Sequence, residues 1–378
     1  MLKNATEDDV STPWGLAKSV VAELKAYAAS DGWNDDGKLS NLYNSMPYAD
    51  FDFVDSRGRS YSHYEVKEFK LPAKPFWQPL EESNGIGSFV RQQHITPFIG
   101  ATARLYGYSD KDLMQQAAPE PKLAGYTRQY KEEANFALER TAELAVNDTQ
   151  KMFVEYFDSK LTSIGLLALR FVARQVKNAF EYWSWALALA VTRYDATVLV
   201  WREKVRYSRV RPRTVVQAVV GDRTVSTYAG PGAGLQKVRG SDWRPYVRTM
   251  PHAEYPSASA CICGIFAEVM RSWTGSDSAT GATASFPRGS SRREPDVTPQ
   301  EDLSYSFSTW SEVADICSQS RLWGGMHFAG SVPSGEKLCS GNIAPAVIEN
   351  IKLLIAGSPE GALAEKANTE INVRPLGK

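Results

Sequence analysis

Positive charge is concentrated in one short segment, residues 201–213, with the sequence WREKVRYSRVRPR. Lys204, Ser208 and Arg211 follow at spacings of four and three residues, which predicts one shared face on a helix that Pro212 ends. Ammonium and guanidinium groups on one face suit the oxygens of a tetrahedral oxyanion. A basic helix C-terminus is also stabilised by the helix dipole without any ligand. The cluster alone therefore leaves both interpretations open.

A second segment, EYPSASACICG, has the residue pattern of a helix start. Pro256 and Ser257 precede an apolar run, so the Ser257 hydroxyl is predicted to cap a helix. The unpaired backbone N–H groups of Ala258 and Ser259 would then point to where an anion could bind. A helix cap that binds no ligand explains the same pattern, and it stays an alternative.

The third segment, SRLWGGMHF, carries His327, one of only four histidines in the chain. Ser320, Gly324 and His327 repeat the spacing of four and three residues, with Arg321 beside that face. Glycine inside a helix costs about 1 kcal/mol relative to alanine, so Gly324 and Gly325 favour a packing or ligand reason. We expect them to leave room for a tetrahedral ion. A histidine among large apolar side chains is also a common hydrogen-bonded residue at helix contacts.

The elements that must position these groups are mainly helical. Over residues 126–357 apolar residues recur every three or four positions, which predicts a helical catalytic core. Residues 1–125 are rich in turns, Pro, Asp and aromatic residues, and are predicted as a loop-rich region wrapping this core, without long helices. Residues 358–378 are predicted as a C-terminal tail. A surface excursion at residues 274–301 should carry a short β-hairpin formed by ATASFP and LSYSFS. The predicted fold is mainly α, a helical-bundle core with long loops.

The longest uncharged apolar stretch is YWSWALALAVT, residues 182–192. It is too short to span a bilayer and is predicted as a buried helix. The first residues, MLKNATEDDVSTPWG, lack the basic start and apolar run of a secretory signal. We expect a soluble chain without a transmembrane segment, and its compartment is left unknown.

Composition argues against several function classes. Lys plus Arg and Asp plus Glu number 43 each, so the net charge is zero and no overall field favours nucleic acid. The chain has four cysteines, Cys261, Cys263, Cys317 and Cys339. Cys261 and Cys263 form one close pair, but there is no second close pair and no histidine at zinc-finger spacing, so a zinc site is not expected. We interpret them as small buried thiols, which suit either a reducing compartment or a core without disulfides.

Taken together, the three segments resemble the signature of the vanadium-dependent haloperoxidases and the related type 2 phosphatidic acid phosphatases. The matching blocks are K-x6-R-P at 204–212, P-S-x-x at 256–259 and S-R-x5-H at 320–327, in the family's order. Further stretches, WQPLEESNGIGSFVRQQHITPFIG, MPHAEYPSA, GSSRREPDVTP and WGGMHF, look like the soluble haloperoxidase branch. The likeness extends from about residue 30 to about residue 350. It implies an all-helical fold of two four-helix bundles with an oxyanion pocket between helices.

The resemblance also implies the site residues. Lys204, Arg211 and Arg321 would neutralise the oxygens of a vanadate cofactor. Ser257 and the N–H of Ala258 would donate further hydrogen bonds. The metal ligand would be His327, bound through an imidazole nitrogen, so the vanadate-binding set is Lys204, Arg211, Ser257, Ala258, Arg321 and His327.

The implied activity is oxidation of a halide by hydrogen peroxide at the bound vanadate, followed by halogen transfer to a small organic acceptor. Lys204 is expected to supply the largest electrostatic polarisation. We expect iodide and bromide to react more readily than chloride because they are easier to oxidise. Exposed apolar helix faces would also allow a homodimer.

One departure from the family pattern affects proton transfer. Ser259 stands where the family has an acid–base histidine, and it is kept among the predicted catalytic residues by position. A serine hydroxyl exchanges protons poorly near neutral pH. His252 and His94 are the candidates to replace the missing histidine, although each is more readily explained as structural.

Two further departures affect binding. Ala258 replaces the family's glycine, and a backbone requiring positive φ would be strained there. Ser331 stands where an aspartate usually follows the metal-binding histidine by four residues. His327 would then lose its strong orienting partner, which would weaken vanadate binding.

Three alternatives remain for function. An acid phosphatase-like phosphomonoesterase would use His327 as the nucleophile, but it needs an acid for the leaving alkoxide, which Ser259 cannot supply. A non-catalytic member would bind phosphate or vanadate without turnover. A nucleic-acid module would rest on the basic helix alone, and the zero net charge disfavours it.

Overall fold

The computed structural model describes residues 9–33, 53–54, 60–61, 77, 80–83, 89–92, 94–95, 99–107, 117–119, 121, 128–341 and 343–357. The helices are α1 (Pro13–Ala28), α2 (Ile99–Thr102), α3 (Arg128–Ala145), α4 (Asp148–Tyr156), a π-helical turn (Leu161–Gly165), α5 (Leu166–Val172), α6 (Ala179–Tyr207), α7 (Pro212–Val220), a 3-10 turn (Gly240–Asp242), α8 (Ala258–Thr274), α9 (Trp310–Trp323), α10 (Ser331–Cys339) and α11 (Ile343–Ile355). The strands are β1 (Phe53–Val54), β2 (Ser60–Tyr61), β3 (Leu80–Ser83), β4 (Phe89–Gln92), β5 (Thr224–Tyr228), β6 (Leu235–Arg239), β7 (Ser278–Phe286) and β8 (Leu303–Thr309). They pair in sequence order as four two-stranded antiparallel sheets. The predicted tail, residues 358–378, lies outside the described residues, as do the predicted boundary at 125–126 and much of the predicted N-terminal region.

The fold is mainly helical, as predicted, and α8 lies at its centre. It packs against α6, α9, α10 and α11. Its apolar sequence suits this place, because it has buried side chains on several faces: Ile265 contributes to the cluster with α10 and α11, and Phe266 to the cluster with α9 and β7. Burying a side chain of this size stabilises the fold by about 1.5–3 kcal/mol. Gly275, with φ of 71°, ends the helix.

Two disulfides fix α8 to its neighbours. Cys261–Cys339 joins α8 to α10, and Cys263–Cys317 joins α8 to α9, with Cα–Cα distances of 5.2 and 6.3 Å. The interpretation of the four cysteines as free thiols is therefore wrong. The partners are 78 and 54 residues apart in sequence, and residues two apart on a helix point in different directions. Local spacing could not show which helix each thiol faces.

The first described helix lies where long helices were not expected. α1 spans 16 residues, with Thr12 as its N-cap and Pro13 in its first turn. The Thr12 hydroxyl accepts from the N–H of Gly15 at 3.1 Å. This is an ordinary helix start, so the expectation that residues 1–125 lack long helices is wrong at this point.

The predicted buried helix at residues 182–192 is only half buried. Trp185 and Ala188 lie in the core, but Trp183 is 67% exposed and Leu187 52% exposed. This part of α6 therefore has one face in the core and the opposite face at the surface. An uninterrupted apolar run shows no period, which is why the sequence predicted burial all round.

The segment that carries Lys204 and Arg211 is not one continuous helix. α6 ends at Tyr207, and Ser208 caps it in the left-handed conformation with φ of 45°. Arg211 is the N-cap of α7, and Pro212 begins that helix. The prediction of one shared helical face is therefore wrong. Pro212 does not end the helix that carries Lys204; it occupies the first position of the next helix.

The predicted hairpin is present. β7 and β8 pair antiparallel, with Ala284 opposite Tyr305 and Ala282 opposite Phe307. Ala279, Phe286 and Phe307 are buried against α4, α5 and α9. The hairpin therefore closes one side of the helical core.

The segment WSEVADICSQSRLWGGMHFAG is helical only in its first two thirds. α9 ends at Trp323, and Gly325 turns the chain with φ of 71°. A Cβ on Gly325 would lie 2.7 Å from Thr141 Cγ2, and one on Gly324 would lie 2.7 Å from Met326 Cε. These glycines permit close packing and a turn that aims His327. The expectation that they leave room for an ion is wrong.

One apolar stretch, Ser331–Ile355, meets the length and composition of a membrane span within the described part of the chain. It is divided between α10 and α11, and Cys339 at the end of α10 is bonded to Cys261 in α8. Both helices contribute to the same buried cluster as α8. Here the stretch forms part of the helical core.

Candidate oxyanion site

The imidazole of His327 is buried just after the glycine turn, at 3% exposure. Its Nδ1 lies 2.8 Å from Oε1 of Glu254, and its Nε2 lies 3.3 Å from Nη1 of Arg211. Burial, together with Arg211 and Lys204, holds the pKa of His327 well below its ordinary value. The ring is therefore neutral, and the carboxylate selects the tautomer with hydrogen on Nδ1. Nε2 is then an acceptor, and its lone pair faces Nη1 of Arg211, which donates to it at 3.3 Å.

Glu254 is the orienting partner that the sequence interpretation missed. Its Oε1 accepts from His327 and also from the N–H of Phe328 at 3.1 Å. The hydroxyl of Ser331 lies farther from Nδ1, at 3.3 Å. The expectation that His327 lacks a strong partner is therefore wrong, since the carboxylate comes from the segment before α8. Burial raises the pKa of Glu254 to about 7, against the opposing effect of Arg211.

Arg211 holds two parts of the site together. Its Nε donates to the carbonyl of His252 at 2.7 Å, and its Nη1 donates to the carbonyl of Met326 at 3.2 Å. Nη2 lies 2.9 Å from Nδ1 of His252. Burial lowers the pKa of Arg211 to about 9, which Arg321 reinforces and Glu254 opposes. The guanidinium therefore stays cationic at neutral pH.

Arg321 is less completely bonded. It lies in the last turn of α9, 2% exposed, with Nη1 and Nη2 each 3.4 Å from Oδ1 of Asp158. Nη2 also lies 3.0 Å from the sulfur of Met326. Charge-assisted hydrogen bonds are normally about 2.7–2.9 Å long, so the contact with Asp158 is loose. Nε is buried and has no acceptor among the described residues. Arg321 therefore has donor capacity to spare.

Lys204 is fully buried in the last turn of α6, and its ammonium is fully used. Nζ donates to the carbonyls of Ala253 at 2.7 Å, Glu254 at 3.1 Å and Pro256 at 2.6 Å. An ammonium has three donors, so here Lys204 fastens the loop before α8. Burial lowers its pKa well below the ordinary value. A direct bond to an oxyanion would require exchange of one carbonyl.

The N-terminus of α8 lies beside this loop, as the sequence predicted. Ser257 is the N-cap, and its hydroxyl accepts from the N–H of Ala260 at 3.3 Å. Ala258 and Ser259 are the first two helical residues, whose N–H groups have no partner within the helix. Ala258 does not have positive φ. The strain expected from replacing glycine there does not occur.

The two candidate replacements for the acid–base histidine differ in their bonding. In His94, Nε2 accepts from the N–H of Ala253 at 3.0 Å and Nδ1 lies 3.0 Å from the carbonyl of Ile95. Burial lowers the pKa of His94 to about 3, and both nitrogens are engaged with backbone, so it is structural. His252 is partly exposed and bonded to Arg211, 4.8 Å from the ring of Trp201. Burial, reinforced by Arg211, also lowers its pKa well below the ordinary value.

Ser259 is nearly buried at 9% exposure, on the first turn of α8. It lies at the position that the family's histidine would occupy, but its hydroxyl has no hydrogen-bond partner within the described part of the chain. Of the two candidate histidines, His252 contacts Arg211, whereas His94 is bonded to backbone groups.

The groups that the structure brings together fit a tetrahedral oxyanion bonded to one histidine. Three buried cations, Lys204, Arg211 and Arg321, surround a neutral imidazole whose pKa each of them lowers. The carboxylates of Glu254 and Asp158 offset part of this positive charge. The unpartnered Nε of Arg321 is a donor with unused capacity, and the first N–H groups of α8 have no partner within the helix. A bound anion would satisfy them.

Sequence reasoning missed Glu254 and Asp158. Glu254 lies inside the quoted stretch MPHAEYPSA, two residues before Pro256. The available signal was a carboxylate close to a predicted helix start that was expected to lie beside cations. Such a carboxylate can be the orienting partner of a histidine. Asp158 follows α4 at a distance of 163 residues from Arg321, and no local pattern connects the two.

Comparison with known proteins supports the helical fold that carries this site. The family described as "VCPO second helical-bundle domain" matches residues 184–357. The apo and holo structures of a bacterial vanadium-dependent chloroperoxidase are each 26% identical to this chain, with TM-scores of 0.79. The alignment with the apo structure covers 94% of this chain and 77% of the chloroperoxidase chain. The alignment with the holo structure covers 91% of this chain and 74% of the chloroperoxidase chain. A bacterial vanadium-dependent iodoperoxidase shares the fold at 18% identity and a TM-score of 0.51, over 74% of this chain and 62% of its own. No curated protein sequence matches the chain.

The matched domain contains every predicted site residue from Lys204 to His327. The helical fold and the place of the three segments within the matched domain are thus explained together. The family match and the structural matches support the superfamily of vanadium haloperoxidases and type 2 phosphatidic acid phosphatases for this chain.

Proposed function

We propose that this chain is a vanadium-dependent haloperoxidase, which oxidises iodide or bromide with hydrogen peroxide and halogenates a small organic acceptor. One observation carries the proposal: the neutral His327 lies among three buried cations, Glu254 holds its Nδ1, and its Nε2 accepts only a long hydrogen bond from Arg211, which a metal ion could replace. A neutral imidazole fixed by a carboxylate is the usual form of a metal-binding histidine. The surrounding cations suit the oxygens of vanadate.

Each residue would have a distinct task. His327 would bind the metal through Nε2, and Arg321 and the N–H groups of Ala258 and Ser259 would donate to the vanadate oxygens. Arg211 would add charge while it holds the loop at His252. Bound vanadate would supply Lewis-acid activation of hydrogen peroxide.

Lys204 would act mainly through its charge and through the loop that it holds, because all three of its donors bind carbonyls. For proton transfer we propose His252 rather than Ser259. Its ring is neutral, partly exposed and next to Arg211, so it would act as a proton acceptor at the edge of the site.

Phosphomonoester hydrolysis is the second candidate, since a neutral imidazole whose Nδ1 is held by a carboxylate is also what a histidine nucleophile requires. The proton donor is the difference. A leaving alkoxide needs an acid near it, and His252, with its pKa well below the ordinary value, is a poor acid at neutral pH. The same cations would then hold phosphate without turnover, which is the binder alternative.

The test is a halogenation assay with hydrogen peroxide and bromide or iodide, before and after orthovanadate is added. We expect activity that depends on vanadate and is lost in His327→Ala. Absence of halide oxidation, with vanadate bound in equilibrium dialysis, would contradict the proposal. Hydrolysis of an aryl phosphate would then separate the phosphatase from the binder.

Two further properties remain proposals. The two disulfides favour an oxidising compartment over a reducing one. A homodimer remains compatible with the exposed apolar side chains of α6, such as Trp183 and Leu187.

A further inference from the structure

A second cluster of cations lies outside the oxyanion site. Lys160, at the start of the π-helical turn, and Arg193, on α6, line a cavity of about 20 Å³. The rest of its lining is apolar apart from backbone: Ile164, Gly165, Leu189, Ile262, Ile265 and Phe266. A cavity of this size holds about one water molecule or one monatomic ion.

The charges in this cavity are not balanced by a carboxylate that lines it. Nζ of Lys160 donates once, to the carbonyl of Phe157 at 2.9 Å, and has two donors left. The guanidinium of Arg193 has no hydrogen bond or ion pair with the described residues, and burial alone lowers its pKa. Asp158 is the acidic group that acts on Lys160, and Arg321 opposes it. The excess of positive charge favours an anion.

Two helices connect the cavity to the oxyanion site. On α8, Ser259, Ile262 and Phe266 are spaced by three and four residues, so they share one face and span about 10 Å along the axis. On α6, Arg193 and Lys204 are eleven residues apart, which is close to three full turns and again one face. The cavity therefore lies on the faces of α8 and α6 that also carry Ser259 and Lys204.

We propose that this cavity is a halide subsite, in which Lys160 and Arg193 hold one halide ion before it reaches the oxyanion site. This inference rests on the proposed haloperoxidase function. Apolar walls suit bromide and iodide better than chloride, because the cost of removing an ion from water falls as its radius grows. A π-helical turn at this place is also typical of functional sites.

Lys160 adds a dependence on pH. Burial and the nearby Arg321 lower the pKa of Lys160 to about 7, and Asp158 opposes them. The ammonium is present below that pKa and is lost above it, so halide affinity should be highest below pH 7. Arg193 keeps its charge and its share of the binding.

The kinetic test uses Lys160→Met, with Lys160→Arg to retain the charge and Lys177→Met as the same change at an exposed site. We expect the bromide KM to rise about 10-fold in Lys160→Met, the effect of one hydrogen bond to a charged group. The vanadate Kd should change by less than the bromide KM, because Lys160 affects His327 through its charge alone. In Lys160→Arg the KM should stay near wild type and should no longer rise above pH 7. An unchanged KM in Lys160→Met would overturn the proposal.

A second test does not depend on turnover. Crystals soaked in sodium bromide should give an anomalous peak between Lys160 and Arg193 that disappears in Lys160→Met. Absence of that peak, or its persistence in the variant, would overturn the subsite. If the peak is present but the wild type oxidises no halide, the halide site stands and the haloperoxidase function is the part that fails.

Discussion

The two halves of the oxyanion site are bonded very differently. In the tight half, Lys204, Arg211, Glu254 and His327 are joined by contacts of 2.6–3.3 Å to one another and to the loop before α8. In the loose half, Arg321 reaches Asp158 only at 3.4 Å and leaves its Nε without an acceptor. The tight half is complete without a ligand, whereas the loose half has donors in reserve. Changes in the tight half should therefore affect stability and binding together, and changes in the loose half should affect binding alone.

The largest effect is expected at Lys204. In Lys204→Met three buried carbonyls lose their donor, so the free energy of unfolding should fall by about 3 kcal/mol or more. Vanadate binding should be lost as well, because the loop before α8 would shift. Guanidinium denaturation of the protein without vanadate measures the first effect, with Lys177→Met as control. Equal stability of Lys204→Met and wild type would contradict the distinction between the halves.

Arg321→Met should weaken binding with little effect on stability. Two hydrogen bonds to a charged group are worth about 3 kcal/mol, so the vanadate Kd should rise about 100-fold. Its partner Asp158 has a side chain 27% exposed and can be hydrated after the change. The free energy of unfolding should therefore fall by less than about 1 kcal/mol. Titration calorimetry with orthovanadate measures the Kd, and Arg174→Met, at an exposed position, is the control.

Glu254→Gln tests the orientation of His327. An amide can still accept from Nδ1, but it lacks the negative charge, and loss of such a partner typically costs about 10- to 100-fold in metal affinity. The matched control is Glu133→Gln, since Glu133 accepts from the N–H of Ala329 at 3.2 Å nearby and does not touch His327. Equal vanadate Kd values for the two variants would show that Glu254 does not position the imidazole.

Much of this site could be predicted from sequence because its chemistry is local. Ser257 and Pro256 mark the start of α8, and Lys204, Arg211, Arg321 and His327 each lie in a short segment with a recognisable spacing. The helical fold followed from the period of three to four residues, and the β7–β8 hairpin followed from two alternating runs. These features depend on neighbours along the chain, which the sequence displays directly.

The errors share one cause, which is that the deciding partner is distant in sequence. The Cys261–Cys339 disulfide spans 78 residues, and Glu254 meets His327 across 73. The glycine pair was interpreted as open space because the side chain of Thr141, on α3, could not be foreseen there. Pro212 was ambiguous for another reason, since proline both ends one helix and begins the next.

The smallest effect is expected at Ser331, and it sharpens the assignment of Glu254. The Ser331 hydroxyl lies 3.3 Å from Nδ1 of His327 and 3.4 Å from the carbonyl of Glu254, so it contributes weakly to either group. Ser331→Ala should change the vanadate Kd by about threefold at most, a difference below 1 kcal/mol. A loss as large as that in Glu254→Gln would mean that the hydroxyl shares the Nδ1 hydrogen with the carboxylate. If vanadate affinity falls little in Ser331→Ala and strongly in Glu254→Gln, then Glu254 orients His327. The segment before α8 would then supply the partner that the position of Ser331 was expected to supply.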